Sequence, residues 1–237
     1  MKQYLLVVVI AMMFFANLAQ AQDVKVAIGV NSWVNKWKIT FKKDSIESDN
    51  SIMMVGPTLS IRYDKVFGGI SFLTSMADYE FSTSYMVEGI PMKLSILSSR
   101  KDLDLTGGFM FTPRFGAFLG YKTTKGNGKV SLEIPYVGKV EENFSTKSKG
   151  PGFGIKGNIP IGETGTLYGS LAWMSLKDDE DEEPVESSGV SFECGGVFKL
   201  TDQLYANVGL KAQSFKEKKD GGESEFSGLT AGINYTF

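Results

Sequence analysis

The stretch Gly228-Leu229-Thr230-Ala231-Gly232-Ile233-Asn234-Tyr235-Thr236-Phe237 alternates without a slip. Leu229, Ala231, Ile233, Tyr235 and Phe237 fall on one side, and Gly228, Thr230, Gly232, Asn234 and Thr236 on the other. Successive side chains of a β-strand point to opposite faces, so this period of two predicts a strand with one apolar face and one small, polar face.

The same pattern recurs upstream. Val24, Val26, Ile28 and Val30 share a face, as do Val55, Pro57, Leu59, Ile61 and Tyr63. Ile70, Phe72 and Met76 mark a weaker segment after Gly68-Gly69. Further segments start at Leu103, Phe115, Phe153, Leu167, Val190 and Leu204, which brings the total to ten. Their connections alternate in length. Polar or long links lie near Lys42–Ser51, Ala77–Ser99, Thr124–Lys149, Lys177–Ser187 and Lys216–Ser224. Short turns lie at Asp64-Lys65, Pro113-Arg114, Gly162–Gly165 and Thr201-Asp202. In an up-and-down arrangement every long link then emerges at one end, and both termini lie at the other.

That asymmetry, with an even strand number, predicts a closed, antiparallel, transmembrane β-barrel of ten strands. Closure has a physical cause. Unpaired backbone groups in hydrocarbon cost several kcal/mol each, so a sheet in lipid cannot leave an edge. The competing fold is a soluble barrel or sandwich with the same period and its apolar face turned inward. Outward aromatics fall near the strand ends, with Tyr63, Phe111, Phe115, Phe198, Tyr235 and Phe237 low and Tyr121 and Trp173 high. Such rings favour the headgroup level. Trp33 and Trp37 fall on the inward phase and fit neither girdle, which calls for a bulge or for a strand that extends above the membrane.

Residues 1–21 read as a secretory signal: Lys2, an apolar run from Tyr4 to Ala16, then Ala19-Gln20-Ala21 as a cleavage site. Residues 22–237 then form the barrel. The single cysteine, Cys194, cannot make an internal disulfide, and a net charge of −2 gives no case for nucleic acid.

With its alternating last strand ending on Phe237, the chain resembles the small bacterial outer-membrane β-barrel superfamily. The resemblance implies export through the periplasm to the outer membrane of a Gram-negative cell. It also implies that Tyr235 and Phe237 are read by the barrel-assembly machinery, and that the monomer contacts outer-membrane lipid and lipopolysaccharide. Known enzymes of such barrels place a histidine in or beside the catalytic group, and this sequence has none. Histidine is the natural general base near neutral pH. The expectation is therefore a non-enzymatic protein without cofactors. Ser95, Ser98 and Ser99 read as loop chemistry and Cys194 as a lipid-facing small residue.

Charges on the inward phase form the main candidate site: Lys25, Arg62, Asp104, Lys122, Lys156, Glu193, Lys199 and Lys211. They make either a self-neutralising plug or a slightly anion-preferring constriction, with Lys156 and Glu193 placed to approach across the lumen. Asp178, Asp179, Glu180 and Asp181 open an acidic run that could hold a divalent cation, although the run lacks a spaced calcium loop. Lys216, Lys218 and Lys219 could meet lipid phosphates or this acidic stretch. Gly150, Gly152, Gly154 and Gly157 enter a strand with no helix after it, so close packing explains them better than phosphate binding. Three roles follow: a surface or membrane-integrity role through the outer loops, a narrow porin-like channel, or a lipid-modifying enzyme without histidine.

Overall fold

The computed structural model describes residues 24–41, 44–87, 90–178, 185–219 and 221–237, so the signal segment lies outside them. In chain order the strands are β1 (Val24–Phe41), β2 (Asp44–Glu47), β3 (Ile52–Tyr63), β4 (Val66–Ser75), β5 (Tyr79–Val87) and β6 (Ile90–Met110). The second half holds β7 (Phe115–Ile134), β8 (Gly138–Ile161), β9 (Gly165–Asp178), β10 (Glu186–Lys199), β11 (Leu204–Glu217) and β12 (Glu223–Thr236).

Ten of the twelve close a ring. The order runs β1, β3, β4, β6 through β12, each antiparallel to the next, and β12 returns to β1 from Ala27↔Thr236 to Thr40↔Glu223. The other two stand outside it: β2 pairs with the top of β1, and β5 with the top of β6. The fold is thus a closed up-and-down barrel.

Short turns and chain ends share one rim. Val24 pairs with Tyr63, and the Phe237 amide donates to the Val26 carbonyl at 2.9 Å. Left-handed backbone occurs in two of these turns, at Asp64 (φ 48°) and Gly162 (φ 60°). Asp and Gly are residue types that accept it.

The other rim differs from the sequence expectation. Two of the long links are paired strands rather than open loops. The Ala77–Ser99 link is the β5–β6 hairpin, so Ser95, Ser98 and Ser99 belong to a strand. The Thr124–Lys149 link continues β7 and β8 to a turn at Pro135–Val137. Above the lipid nothing demands an apolar outer face, so the alternation fades while the hydrogen-bond ladder rising from the barrel continues.

The apolar set faces outward, which eliminates the soluble alternative with its apolar face inside. Leu119, Leu229 and Ile233 are 71%, 60% and 54% exposed on the belt. A continuous apolar girdle around the molecule is far more than a water-soluble surface carries. At its lower edge Phe111 packs at a tilt between Phe109 and Phe115, and Tyr235 packs edge-on against Phe237 at 5.0 Å. At its upper edge Trp173 meets Phe153 at 5.5 Å. Trp33 and Trp37 need no bulge, because the register of β1 with β12 is unbroken through both. They point into the lumen.

Candidate functional site

Three layers fill the lumen. The middle one is charged. Arg100, Asp102 and Asp104 follow one another at every second position of β6, so all three project inward. Arg100 donates two hydrogen bonds to the Asp102 carboxylate, both at 2.7 Å. Lys122 of β7 donates to Asp102 and to Asp104, each at 2.9 Å. From the opposite wall, Lys211 of β11 stands 3.9 Å from Asp104, and Gln213 accepts from Arg100 at 3.0 Å. Strands β6 and β11 are diametrically opposed in the ten-membered ring, so this network crosses the full width of the lumen.

Arg100, Asp102 and Lys122 are each 3% exposed or less. Two cations with two carboxylates, extended by Lys211, nearly cancel in charge. Burial of ion pairs rarely adds net stability, because desolvation offsets the attraction, but a member left without its partner is costly.

The layer above is apolar. Trp33, Met54, Leu73, Leu176, Phe215 and Phe226 form one buried cluster, with Trp37 and Met174 against it. The two layers are joined by stacking: the Arg100 guanidinium lies 3.7 Å from the Phe226 ring centre, and the Lys211 ammonium 5.0 Å from that of Trp33. A cation over an aromatic face is attracted by the ring quadrupole. Higher still, Tyr79 and Phe81 of β5 close over Trp37 and Ile52. The Tyr79 hydroxyl donates to Asn35 Oδ1 at 2.7 Å. Burial pushes this phenol up to about 12, partly offset by the Arg100 charge and the Asn35 bond. Ser48 accepts from the Trp37 amide, and Asn50 and Asp49 accept from Glu80 and Ser82, which ties the β2–β3 link to β1 and β5.

The lowest layer is open. A cavity of about 660 Å³ enters from the turn rim and ends beneath the charged layer, with a smaller space of about 140 Å³ beside Asp104 and Lys122.

The sequence-derived lumen residues are therefore divided. Asp104, Lys122 and Lys211 meet in the middle network. Arg62 and Lys156 line the lower cavity, Arg62 donating to the Asp64 carbonyl at 3.1 Å and Lys156 sitting 3.5 Å from the Phe67 ring centre. Glu193 also lines it but accepts from the Tyr168 hydroxyl at 3.1 Å, and no ion pair joins it to Lys156 among the described residues. Lys199 lies at the turn rim, paired with Asp202 at 2.7 Å, outside the cluster. Arg100 and Asp102 lie beyond the sequence reading because β6 continues upward past Leu103, and Gln213 because β11 continues past Ala212. The alternation itself, carried back from Asp104 and forward from Lys211, places all three on the inward phase.

Of the acidic run, Asp178 ends β9 and accepts from Ser148, while Asp179, Glu180 and Asp181 lie outside the described residues. Among the described residues no group of acidic or sulfur side chains is arranged to hold a metal ion. Lys218 pairs with Glu186 at 2.8 Å and holds its carboxyl below the usual range. On the β7–β8 hairpin, Lys129 and Lys139 both bind Glu141 and hold its carboxyl down to about 2.

These features define a plugged, lipid-facing β-barrel with ordered outer ribbons. The sequence matches no protein-family model and no curated protein. Among solved structures it is similar to the outer membrane protease OmpT from Escherichia coli, with a TM-score of 0.60 and 13% identity over 91% of this chain and 97% of that one. Looser likenesses are to the outer membrane protein OprG from Pseudomonas aeruginosa (TM-score 0.39, 13% identity, 91% and 95% covered) and to Ail of Yersinia pestis (0.36, 9%, 91% and 100%). The first is a likeness of fold, and the other two are too loose to argue from.

Proposed function

We propose that this protein is a non-enzymatic barrel of a Gram-negative outer membrane, closed to solute at mid-lumen, that acts at the cell surface through its ordered ribbons. The observation that carries the reading is the plug. A charged layer spanning the lumen lies directly under an apolar layer whose Trp33 and Met54 are wholly buried. The ribbons supply the interacting surface: the β7–β8 turn presents Tyr136 and Val137 fully or largely exposed, and its backbone is already ordered. Ordering before contact lowers the entropic cost of binding a partner.

The absence of catalysis is part of this proposal. The sequence has no histidine, and Asp102 and Asp104 are both neutralised by cations, which leaves neither carboxylate free to activate water. Similarity to a protease brings the fold alone.

A narrow channel is the second reading, favoured by the open cavity beneath the plug. Planar-bilayer recording separates the two, with heat-modifiable gel migration as proof of folding. The folded protein is expected to give no unitary current steps. Salt-dependent steps from the unmutated protein would overturn the closed-barrel reading.

A further inference from the structure

Beneath the plug, the cavity at the turn rim brings together three cations, while the carboxylate that lines it with them, Glu193, is taken by the Tyr168 hydroxyl. Lys25 and Arg62 are direct cross-strand partners on β1 and β3, a position where like charges repel. Lys156 reaches them from β8, its ammonium over the ring of Phe67, which is the cross-strand partner of Arg62. None of the three takes part in an ion pair among the described residues. Arg62 spends only its Nε, on the Asp64 carbonyl, and the Lys156 ammonium is held over the Phe67 ring rather than by an acceptor. In the charged layer above, Asp102 and Asp104 pair with Arg100, Lys122 and Lys211, and the three cations of the lower cavity have no such pairing among the described residues.

The same cavity is also lined by amide side chains. Asn207 and Asn234 are locked together at 3.0 Å, Asn31 Oδ1 is buried without a partner, and Glu193 points its carboxylate toward Tyr168. Cations beside hydrogen-bonding amides in one cavity suit a molecule that carries both an anionic group and hydroxyl groups. A volume of about 660 Å³ is in the range of pockets that take small organic ligands. We propose that this cavity is a binding site for a small, hydroxyl-rich organic anion, a sugar phosphate or sugar acid, entered from the turn rim and ending below the plug.

Isothermal titration calorimetry on the folded full-length barrel in detergent tests it, with glucose 6-phosphate and gluconate as probes and glucose as the neutral control. At least one anion is expected to bind saturably at moderate salt, while glucose gives no heat. Lys156→Gln is expected to weaken binding about tenfold, corresponding to ~1.4 kcal/mol, and Lys156→Arg to restore most of it. Should Lys156→Gln fail to fold, the rim pair Lys25→Gln and Arg62→Gln provides the same comparison at exposed positions. The proposal is overturned if neither anion binds, if glucose binds as well as they do, or if removing these cations leaves the affinity unchanged.

Discussion

Asp102 is the hinge of the charged layer, and replacing it with asparagine removes one charge and almost no volume. In the native barrel its carboxylate accepts three charge-assisted hydrogen bonds, two from Arg100 and one from Lys122, while 1% exposed. After Asp102→Asn one neutral amide oxygen remains to accept, the other position becomes an NH2 donor facing a cation, and Arg100 keeps the Gln213 oxygen and Lys122 keeps Asp104. Treating the three bonds as independent, at ~1.5–3 kcal/mol each, would overshoot because they share one acceptor. Breaking a buried pair from one side costs ~3–5 kcal/mol, which is the better guide. At 3 kcal/mol the folded-to-unfolded ratio falls roughly 150-fold by RT ln K. Urea unfolding of the barrel in lipid vesicles measures this. Trp33 and Trp37 report the plug by fluorescence, since Trp33 lies 5.7 Å from the Arg100 guanidinium. The double variant Arg100→Met with Asp102→Leu removes both charges and is expected to recover most of the loss. A destabilisation below about 1 kcal/mol for Asp102→Asn would refute the claim that this network is a desolvated unit.

Two other perturbations probe separate links. Tyr79→Phe leaves Asn35 Oδ1 without its donor in a buried site and is expected to lower stability by ~1–3 kcal/mol, read as a shift of the unfolding midpoint without loss of the belt. Gly150→Ala would put a Cβ 1.9 Å from the Ser175 carbonyl oxygen, so β8 and β9 must part. Overpacking of this kind costs ~1–3 kcal/mol, and heat-modifiable migration should show a smaller folded fraction than for alanine at Gly107, where a Cβ meets nothing.

The ring was legible in the sequence because lipid imposes a rule on one face. Wherever a strand crosses hydrocarbon, its outward residues must be apolar, and Leu229 to Phe237 or Phe115 to Tyr121 show it residue by residue. The ribbons were not legible, because Lys125-Gly126-Asn127-Gly128-Lys129 obeys no such rule while still pairing fully with β6 and β8. The plug was hidden for a different reason. Trp33, Met54, Phe215 and Phe226 come from β1, β3, β11 and β12. Each alone is merely an apolar residue on the inward phase, and only closure of the barrel makes them one cluster. Lys199 shows the converse error: its phase is inward, but it sits where the strand gives way to a turn, and Asp202 three residues on captures it.

The β6–β7 ladder runs without interruption from Met110↔Gly116 at the turn rim to Lys93↔Glu133 near the outer tip. Pairing of β7 with β8 reaches Ile134↔Gly138, so the three strands form a plank clamped at its lower end, not a tether. Force applied at Tyr136 is not absorbed by rotation of loose backbone dihedrals. It tilts β6, β7 and β8 together, and since Asp104 sits on β6 and Lys122 on β7, the load arrives in the charged layer as shear against the opposite wall at β11.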